Sequence, residues 1–325
     1  MQIYKFNSIL KPVLWGGDKI VSFKHLPATD KPIGESWELS ALPGYESVVT
    51  VEGEDSGQTL TQLIKHYGAD LVGEDVYHRY GNCFPLLIKV IDARLDLSVQ
   101  VHPDDEMATR RHGSKGKNEM WYILHTDAGA MIRAGFNRAL TIEDYDRRLA
   151  DGTLMEVINV TPSHQGDVFY IPAGQIHTIG GGNLLVEIQQ SSDITYRVWD
   201  YNRRDADGNL RQLHVQESRE ALNLAAHDCR MSDFPGIGEG MKRLVKCRDF
   251  EVNRLDLVER RTMEWQCPHS FVALFCARGD ADLHVEGMPR QSIHQGEVSL
   301  IPAIADKVEM TGSETLLLIT VPPEN

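Results

Sequence analysis

Ser98, Gln100 and His102 alternate along the segment LDLSVQVH, residues 95–102. In a β-strand, successive side chains point to opposite faces, so these three polar side chains share one face. The residues between them are apolar and suit a protein core. The polar face must therefore contact water, a metal ion or a substrate, and this segment alone leaves these alternatives open.

Two further segments carry side chains that bind metal ions. Glu119 lies in KNEMWYIL, and His177 follows a Pro-Ala-Gly turn in GDVFYIPAGQIH. With Gln100 and His102 they would supply one carboxylate oxygen, one amide oxygen and two imidazole nitrogens, a set that suits Zn²⁺ or a similar divalent cation. An open coordination position would make such a site catalytic. A structural role for each residue stays an alternative, because the four come from three separate segments.

Three basic residues stand near these segments. Lys89 interrupts the apolar run PLLIKVIDA, where a lysine either extends its amine to solvent or binds a buried anion. Lys117 precedes Glu119 by two residues, and an exposed ion pair is the simple interpretation. Arg197 lies in the strand-like segment ITYRVWD, and it either forms a surface salt bridge or holds a sugar and stabilises a developing oxyanion.

Most of the secondary structure predicted around these residues is β-strand. Short runs rich in Val, Ile, Tyr and Phe, separated by turn residues, recur along the chain and predict β-structure. Helical patterns are fewer, and the first opens with a Thr-x-x-Gln capping box. The predicted helices cover residues 59–72, 104–113, 141–152 and 215–225. We therefore expect a mainly β fold, a sandwich or barrel with a few flanking helices.

A Pro/Gly-rich stretch at residues 233–240 precedes a second series of strands, so we predict two domains, residues 1–230 and 231–325. A faint internal repeat supports two copies of one fold. The repeat consists of a glycine, an acidic residue and a later proline. It occurs in GDVFYIPAGQIH, which starts at Gly166, and in GEVSLIPAIADK, which starts at Gly296. The second copy has Lys307 where the first has His177, so it lacks that candidate ligand.

Composition restricts the function. The 325 residues carry a formal net charge of −14, which argues against nucleic-acid binding but permits one basic pocket for a small phosphorylated substrate. No apolar stretch approaches the roughly 18 residues of a membrane span, and the N-terminus lacks a signal-peptide pattern. The five scattered cysteines contain no CxxC pair. We therefore expect a cytoplasmic protein with reduced thiols.

The run PLLIKVIDARLDLSVQVHPDD, residues 85–105, resembles the signature of type I phosphomannose isomerases. Supporting matches occur in the family's order and together are highly specific: LWGG (14–17), GESWELS (34–40), GKNEMWYIL (116–124), IPAGQIHTIGGG (171–182) and SDITYRVWDYNRR (192–204). The region after residue 230 resembles the family's second cupin domain in outline. The chain between about 125 and 166 is too short for the family's helical insertion, so it resembles the short bacterial form.

The resemblance implies a double cupin, a pair of jelly-roll barrels with one zinc ion in the first and no ligands in the degenerate second. By motif position, the implied metal ligands are Gln100, His102, Glu119 and His177. The implied phosphate-binding residues are Ser98 and Lys89, and the implied catalytic residues are Lys117, Arg197 and Asp193. The oligomeric state stays open.

The implied activity is the reversible isomerisation of mannose 6-phosphate and fructose 6-phosphate through an enediol, with the metal stabilising the oxyanion. The resemblance leaves the general base open between Lys117 and a metal-bound hydroxide. Three other functions remain alternatives. They are a non-catalytic sugar-phosphate sensor, a cupin oxygenase, which typically has a His-x-His pair where this chain has Gln100, and an isomerase for another sugar phosphate.

Overall fold

Nearly all the predicted apolar runs form strands in the computed structural model, which describes residues 1–204, 208–237, 240–257, 261–264, 269–312 and 314–324. The predicted boundary stretch 233–240 is described except for residues 238 and 239, and Cys267 lies outside the described residues. The four other cysteines are free. The strands pair into two β-sandwiches, so the predicted mainly β architecture is confirmed. No helix in the described part of the chain is long and apolar enough to span a membrane.

The first sandwich contains the candidate site. Its larger sheet has, in spatial order, β15 (Arg230–Met231), β11 (Val168–Ile171), β8 (Glu119–Thr126), β13 (Asn183–Gln190), β6 (Leu86–Ala93), β3 (Ile33–Leu39) and β2 (Ile9–Gly17). Facing it is a sheet of β10 (Ile158–Pro162), β9 (Met131–Phe136), β12 (His177–Ile179), β7 (Val99–Val101) and β14 (Tyr196–Trp199). All these strand pairs are antiparallel.

The second sandwich uses both ends of the chain. One sheet has the order β1 (Tyr4–Lys5), β22 (Val298–Ile301), β19 (Val272–Arg278), β24 (Glu314–Thr320), β17 (Glu251–Leu257) and β16 (Met241–Lys246). The other has β18 (Arg261–Glu264), β23 (Lys307–Gly312), β20 (Asp280–His284) and β21 (Gln291–His294). A small pair, β4 (Ala41–Leu42) and β5 (Tyr45–Glu46), lies apart. Because β1 pairs with β22, the first residues of the chain are part of the second sandwich.

Helices flank the sandwiches, and side chains of Thr59, Asp104 and Thr141 cap the starts of three of them, α2, α5 and α6. They are α1 (Lys19–Phe23), α2 (Leu60–Tyr67), α3 (Ala69–Val72), α4 (Glu74–Tyr80), α5 (Asp105–His112), α6 (Ile142–Ala150) and α7 (Val215–Ala221), with a 3₁₀ turn at Leu154–Val157. The predicted capping box forms between Thr59 and Gln62. The single helix predicted for 59–72 is wrong, because Gly68 adopts φ 53°, ψ −127° and ends α2 before α3 begins.

The larger sheet of the first sandwich is buried on both faces. Every residue of β6 and β13 is buried, which explains why their sequences read as apolar runs rather than as polar–apolar alternation. The outer face packs on α2–α4 and the second sandwich, for example through Phe84 and Phe271, whose ring centroids are 4.6 Å apart. A charged residue on such a strand needs a partner inside the protein.

The faint internal repeat has matching backbone geometry in the two sandwiches. Gly166 and Gly296 both adopt positive φ, 89° and 81°. Each donates its N–H over 2.8 Å to a strand carbonyl, that of Ile123 in the first copy and of Cys276 in the second. The acidic residue after each glycine accepts from the backbone N–H of a histidine three residues earlier, at 2.9 Å in both copies. These shared turns support two copies of one fold.

Candidate metal centre and active site

Three of the predicted site residues form one row across the smaller sheet. His177 in β12 pairs with Gln100 in β7, and Gln100 pairs in turn with Arg197 in β14. Residues directly opposite on neighbouring antiparallel strands project to the same face. The antiparallel pairing therefore brings together three side chains that lie up to about a hundred residues apart in sequence.

The facing sheet contributes Glu119, the first residue of β8, to the same interior. Its carboxylate oxygens lie 3.3 Å from His102 Nε2 and 3.3 Å from His177 Nε2. Lys117 Nζ lies 2.9 Å from Glu119 Oε2 and 3.2 Å from His102 Nε2. All four side chains are at most 4% exposed. Four charged or titratable groups therefore share one enclosed volume.

Backbone carbonyls fix the orientation of both histidines. His102 Nδ1 donates to the carbonyl of Ile194 (2.8 Å), and His177 Nδ1 donates to the carbonyl of Gln175 (2.9 Å). Each Nε2 then carries the lone pair and faces the Glu119 side, where that of His102 accepts from Lys117 (3.2 Å) and that of His177 from the Gln100 amide (3.2 Å). Burial lowers the pKa of His102 and lowers that of His177 to about 3. Both imidazoles are therefore neutral near pH 7, the form that binds metals.

The donor set fits a divalent cation. Ligand atoms of His102, Glu119 and His177 all lie within 4.8 Å of one another. Although burial opposes ionisation of Glu119, the Lys117 ammonium holds its pKa well below the usual range. Neither of its oxygens has a well-directed hydrogen bond in the described part of the protein. A buried anion beside two lone pairs is the arrangement that a dication stabilises.

Gln100 borders this cluster, but its amide nitrogen, not its oxygen, faces His177 Nε2, at 3.2 Å. A metal ligand would need the oxygen there, which a half-turn of the terminal amide provides. The other end of the amide lies 3.4 Å from the hydroxyl of Ser98, which is buried on the same face. The shared face of Ser98, Gln100 and His102 thus points into the enclosed interior and not to bulk solvent.

Lys89 is buried and protonated. Its ammonium lies 3.0 Å from Glu187 Oε2, and although burial opposes the charge, the Glu187 and Glu35 carboxylates raise the pKa of Lys89. Glu187 also accepts a hydrogen bond from the indole of Trp121 (2.9 Å) and lies 3.9 Å from Lys117. Lys89 keeps further N–H donors for an anion.

The sequence analysis missed Glu187 and Glu35. Glu187 pairs with Lys89 in the sheet register, and it could have been noticed as a single charge inside LLVEIQQ, by the argument applied to Lys89. Glu35 lies in β3 and accepts a hydrogen bond from the indole of Trp37 (2.6 Å). Burial opposes its ionisation, but Lys89 and other cations lower the pKa of Glu35.

Lys11, a basic residue not foreseen from the sequence, lies in β2 at the edge of the larger sheet. Its ammonium lies 3.2 Å from the ring centroid of Trp37 and 3.5 Å from that of Tyr45, a cation–π arrangement. Burial and the neighbouring Lys89 both lower the pKa of Lys11, while Glu35 and Asp193 raise it. The predicted residue Asp193 is exposed and therefore lies at the rim of the site.

Two hydrogen bonds to residues 212–214 hold Arg197 in place. Its guanidinium donates to the carbonyl of Gln212 (2.8 Å), and its backbone N–H donates to His214 Nδ1 (3.2 Å). Its Nε is buried and has no hydrogen-bond partner among the described residues. Burial lowers the pKa of Arg197, yet an arginine stays charged near neutrality. This buried N–H is therefore a hydrogen-bond donor that the described residues leave unsatisfied.

Comparisons with known proteins agree with this arrangement. Residues 3–132 match the model of the phosphomannose isomerase type I catalytic domain, and residues 240–321 match that of the mannose-6-phosphate isomerase cupin domain. The cupin match confirms the predicted fold.

Two curated relatives are similar over most of their length. Mannose-6-phosphate isomerase ManA of Bacillus subtilis is 35% identical, over 84% of this chain and 85% of that protein. Mannose-6-phosphate isomerase of Streptococcus mutans is 31% identical, over 89% of each. The crystal structure of mannose 6-phosphate isomerase from Bacillus subtilis superimposes with a TM-score of 0.88 and 28% identity, covering 98% of this chain and 99% of that one. By motif order, domain matches and full-length similarity, this chain belongs to the type I phosphomannose isomerases.

Proposed function

We propose that this protein interconverts mannose 6-phosphate and fructose 6-phosphate, and that Gln100, His102, Glu119 and His177 hold one divalent cation for the reaction. The observation that carries this proposal is the convergence of Glu119 with two neutral imidazoles inside a buried volume. The family membership supplies the substrate and the reaction class.

The reaction moves one proton between C1 and C2 of the open-chain sugar, through an enediol whose oxygen carries developing negative charge. A divalent cation, when bound, supplies Lewis-acid stabilisation of that oxygen, worth several kcal/mol. Arg197 adds charge-assisted hydrogen bonds from its unpaired N–H, and these strengthen as charge develops.

Lys89 and Ser98 hold the phosphate in this proposal. A remote anchor of this kind restricts the sugar so that C1 and C2 meet the catalytic groups, and its binding energy then contributes to the rate. The ammonium of Lys89 is already neutralised by Glu187, so the phosphate must bind through the remaining donors. Lys11, in edge strand β2, adds positive charge near Lys89, since both ammonium groups lie over the Trp37 ring.

Lys117 is the candidate proton carrier within the chain. Its amine lies beside both Glu119 and His102, at 2.9 and 3.2 Å, and therefore within reach of a substrate oriented by the cation. Asp193, at the rim and near Lys11, is assigned to substrate entry and orientation.

We propose Zn²⁺ as the native metal because nitrogen and oxygen ligands with no thiolate suit it, although the same set accepts Co²⁺ and Mn²⁺. We also place the catalytic domain at residues 1–230 and the ligand-free cupin at 231–325, with β1 exchanged into the latter. Within the described residues of 231–325, no cluster of His, Cys, Asp and Glu has metal-ligand spacing. Free thiols favour a cytoplasmic location.

The proposal is tested by elemental analysis of the purified protein together with a coupled assay for fructose 6-phosphate formed from mannose 6-phosphate. We expect one metal ion per chain, loss of turnover on chelation, and recovery when Zn²⁺ is returned. Turnover at the full rate in protein stripped of every metal would refute the metal's role. Absence of turnover in metal-replete protein would refute the assigned substrate.

A further inference from the structure

The ligand-free second cupin reaches the segment of Lys117 and Glu119, at the start of β8. The turn between β16 and β17 places Asp249, which is 5% exposed, against Asn118. Asn118 Nδ2 donates to Asp249 Oδ2 over 2.7 Å. Asn118 stands between the candidate proton carrier and a candidate ligand, and the alternation of an extended chain directs its side chain away from both. The second domain therefore contacts residues 117–119 on the side opposite the candidate metal centre.

The same amide binds a second catalytic segment. Asn118 Oδ1 accepts from the backbone N–H of Ala173 (2.8 Å), in the Pro-Ala-Gly turn that precedes His177. Gly174, in that turn, donates its N–H to the carbonyl of His102 (2.9 Å). One side chain thus connects the Glu119 strand to the turn that sets His177.

The backbone of Asn118 is fixed as well. Its N–H donates to Gln190 Oε1 (2.8 Å), and its carbonyl accepts from the N–H of Gln190 (3.1 Å). Gln190 in turn donates to Asp105, which also accepts from the N–H of Gly116 (2.9 Å). Asp249 supplies the part of this network that comes from the second domain.

The turn that carries Asp249 is itself firmly docked. Phe250 is fully buried, and its ring meets that of Tyr170 edge-on with centroids 6.4 Å apart. The N–H of Cys247 donates to the carbonyl of Phe250 (3.0 Å) and closes the turn. A carboxylate held at a buried interface is retained only when its hydrogen bonds compensate its lost hydration, so its placement opposite Asn118 is specific.

We propose that Asp249 is a positioning residue for the metal centre: by holding Asn118 it fixes the backbone between Lys117 and Glu119 and the turn before His177. This inference rests on the proposed function and gives the ligand-free cupin a role in it. Partners behind metal ligands typically contribute 10–100-fold to metal affinity or activity.

The test uses full-length protein stripped of metal and titrated with Co²⁺ alone, followed by its visible absorption, with kcat and KM measured on the zinc form. For Asp249→Ala we expect about tenfold weaker Co²⁺ binding, an altered cobalt spectrum and a fall in kcat that exceeds any rise in KM. Asp249→Asn keeps an acceptor oxygen for Asn118, and we expect it to stay within about twofold of the unaltered protein.

Two further variants separate positioning from general damage. Asp280→Ala removes an exposed carboxylate of the same domain, bonded to His294, and should change neither measurement. Asn118→Asp keeps the acceptor for Ala173 but opposes Asp249 with a like charge, so it should reproduce the loss even if Asp249→Ala fails to fold. Wild-type cobalt binding in both Asp249→Ala and Asn118→Asp, or an equal loss in Asp280→Ala, would overturn the inference. The cobalt measurement decides this even if the unaltered protein does not isomerise mannose 6-phosphate, an outcome that would refute only the proposed function.

Discussion

At the scale of single residues, the candidate centre depends on burial that makes each charge require a partner. Glu119 is fully buried, and the Lys117 ammonium and two neutral imidazoles lie beside it. A metal in this position would replace the hydration that folding removes. Each candidate ligand is thus expected to have a larger effect on metal affinity than on folding.

We predict that His177→Ala weakens Co²⁺ binding by about 100-fold or more, because losing a direct ligand should cost at least as much as losing a supporting partner. The measurement is cobalt titration of the metal-free protein. His125→Ala is the matched control, since His125 lies on β8 with its side chain 56% exposed and contacts Asp127. Equal cobalt affinities for the His177 variant and the unaltered protein would remove His177 from the ligand set.

Lys117 is tested as the proton carrier by Lys117→Met, which keeps the side-chain length and removes the amine. We expect solvent tritium exchange at C2 of the sugar and turnover both to fall by about 100-fold or more, the usual contribution of an acid–base group. The exposed Lys115→Met is the control and should be unaffected. Undiminished exchange, with the metal content unchanged, would exclude Lys117 from this role.

At the scale of elements, antiparallel register creates the site. Alternation along one strand predicted correctly that Ser98, Gln100 and His102 share a face. The pairing of Gln100 with both His177 and Arg197 came only from the sheet, because hydrogen bonding between distant strands leaves no mark in either segment. The break at Gly68 was missed for a related reason, since the apolar pattern of 59–72 continues through it.

Gly135 follows Ala134, which pairs with His177, and we predict that a larger residue at position 135 destabilises this part of the sheet. Gly135 adopts φ 75°, and an added Cβ would lie 2.1 Å from the carbonyl oxygen of His227. Gly129 has a similar φ of 82° but open space around it. By urea denaturation, we expect Gly129→Ala to cost about 1 kcal/mol from backbone strain. Gly135→Ala should cost at least about 2 kcal/mol more, from the clash. Equal costs for the two variants would show that the clash relaxes freely.

At the scale of the whole molecule, the two sandwiches are joined by the ammonium of Lys24, which is itself held in a buried ion pair, as well as by β1. Lys24 Nζ lies 2.6 Å from Glu38 Oε2, and both side chains are 3% exposed. The same ammonium donates to the carbonyl of Gly296, in the turn before β22 of the second sandwich. Neither contact was foreseen, because Lys24 and Glu38 look like ordinary surface charges in the sequence.

We expect Lys24→Met to lower the free energy of unfolding by about 3 to 5 kcal/mol, since it leaves Glu38 buried without its cation. Lys19→Met removes an exposed pair of similar length, Lys19 with Asp127 at 2.7 Å, and should cost less than about 1 kcal/mol. Denaturant unfolding measures both. If the two variants lose the same stability, burial of the Lys24–Glu38 pair does not make it more important than an exposed one.

The fold class, the family and the candidate site residues could all be predicted from the amino-acid sequence, because strand alternation and short ordered motifs are local properties of the linear chain. The three-dimensional fold was needed to show which groups share one enclosed volume, that Glu187 and Glu35 neutralise Lys89, and that Asp249 reaches Asn118. These facts depend on sheet register and domain docking, in which the identity of a neighbour is fixed by packing between segments that are remote in sequence.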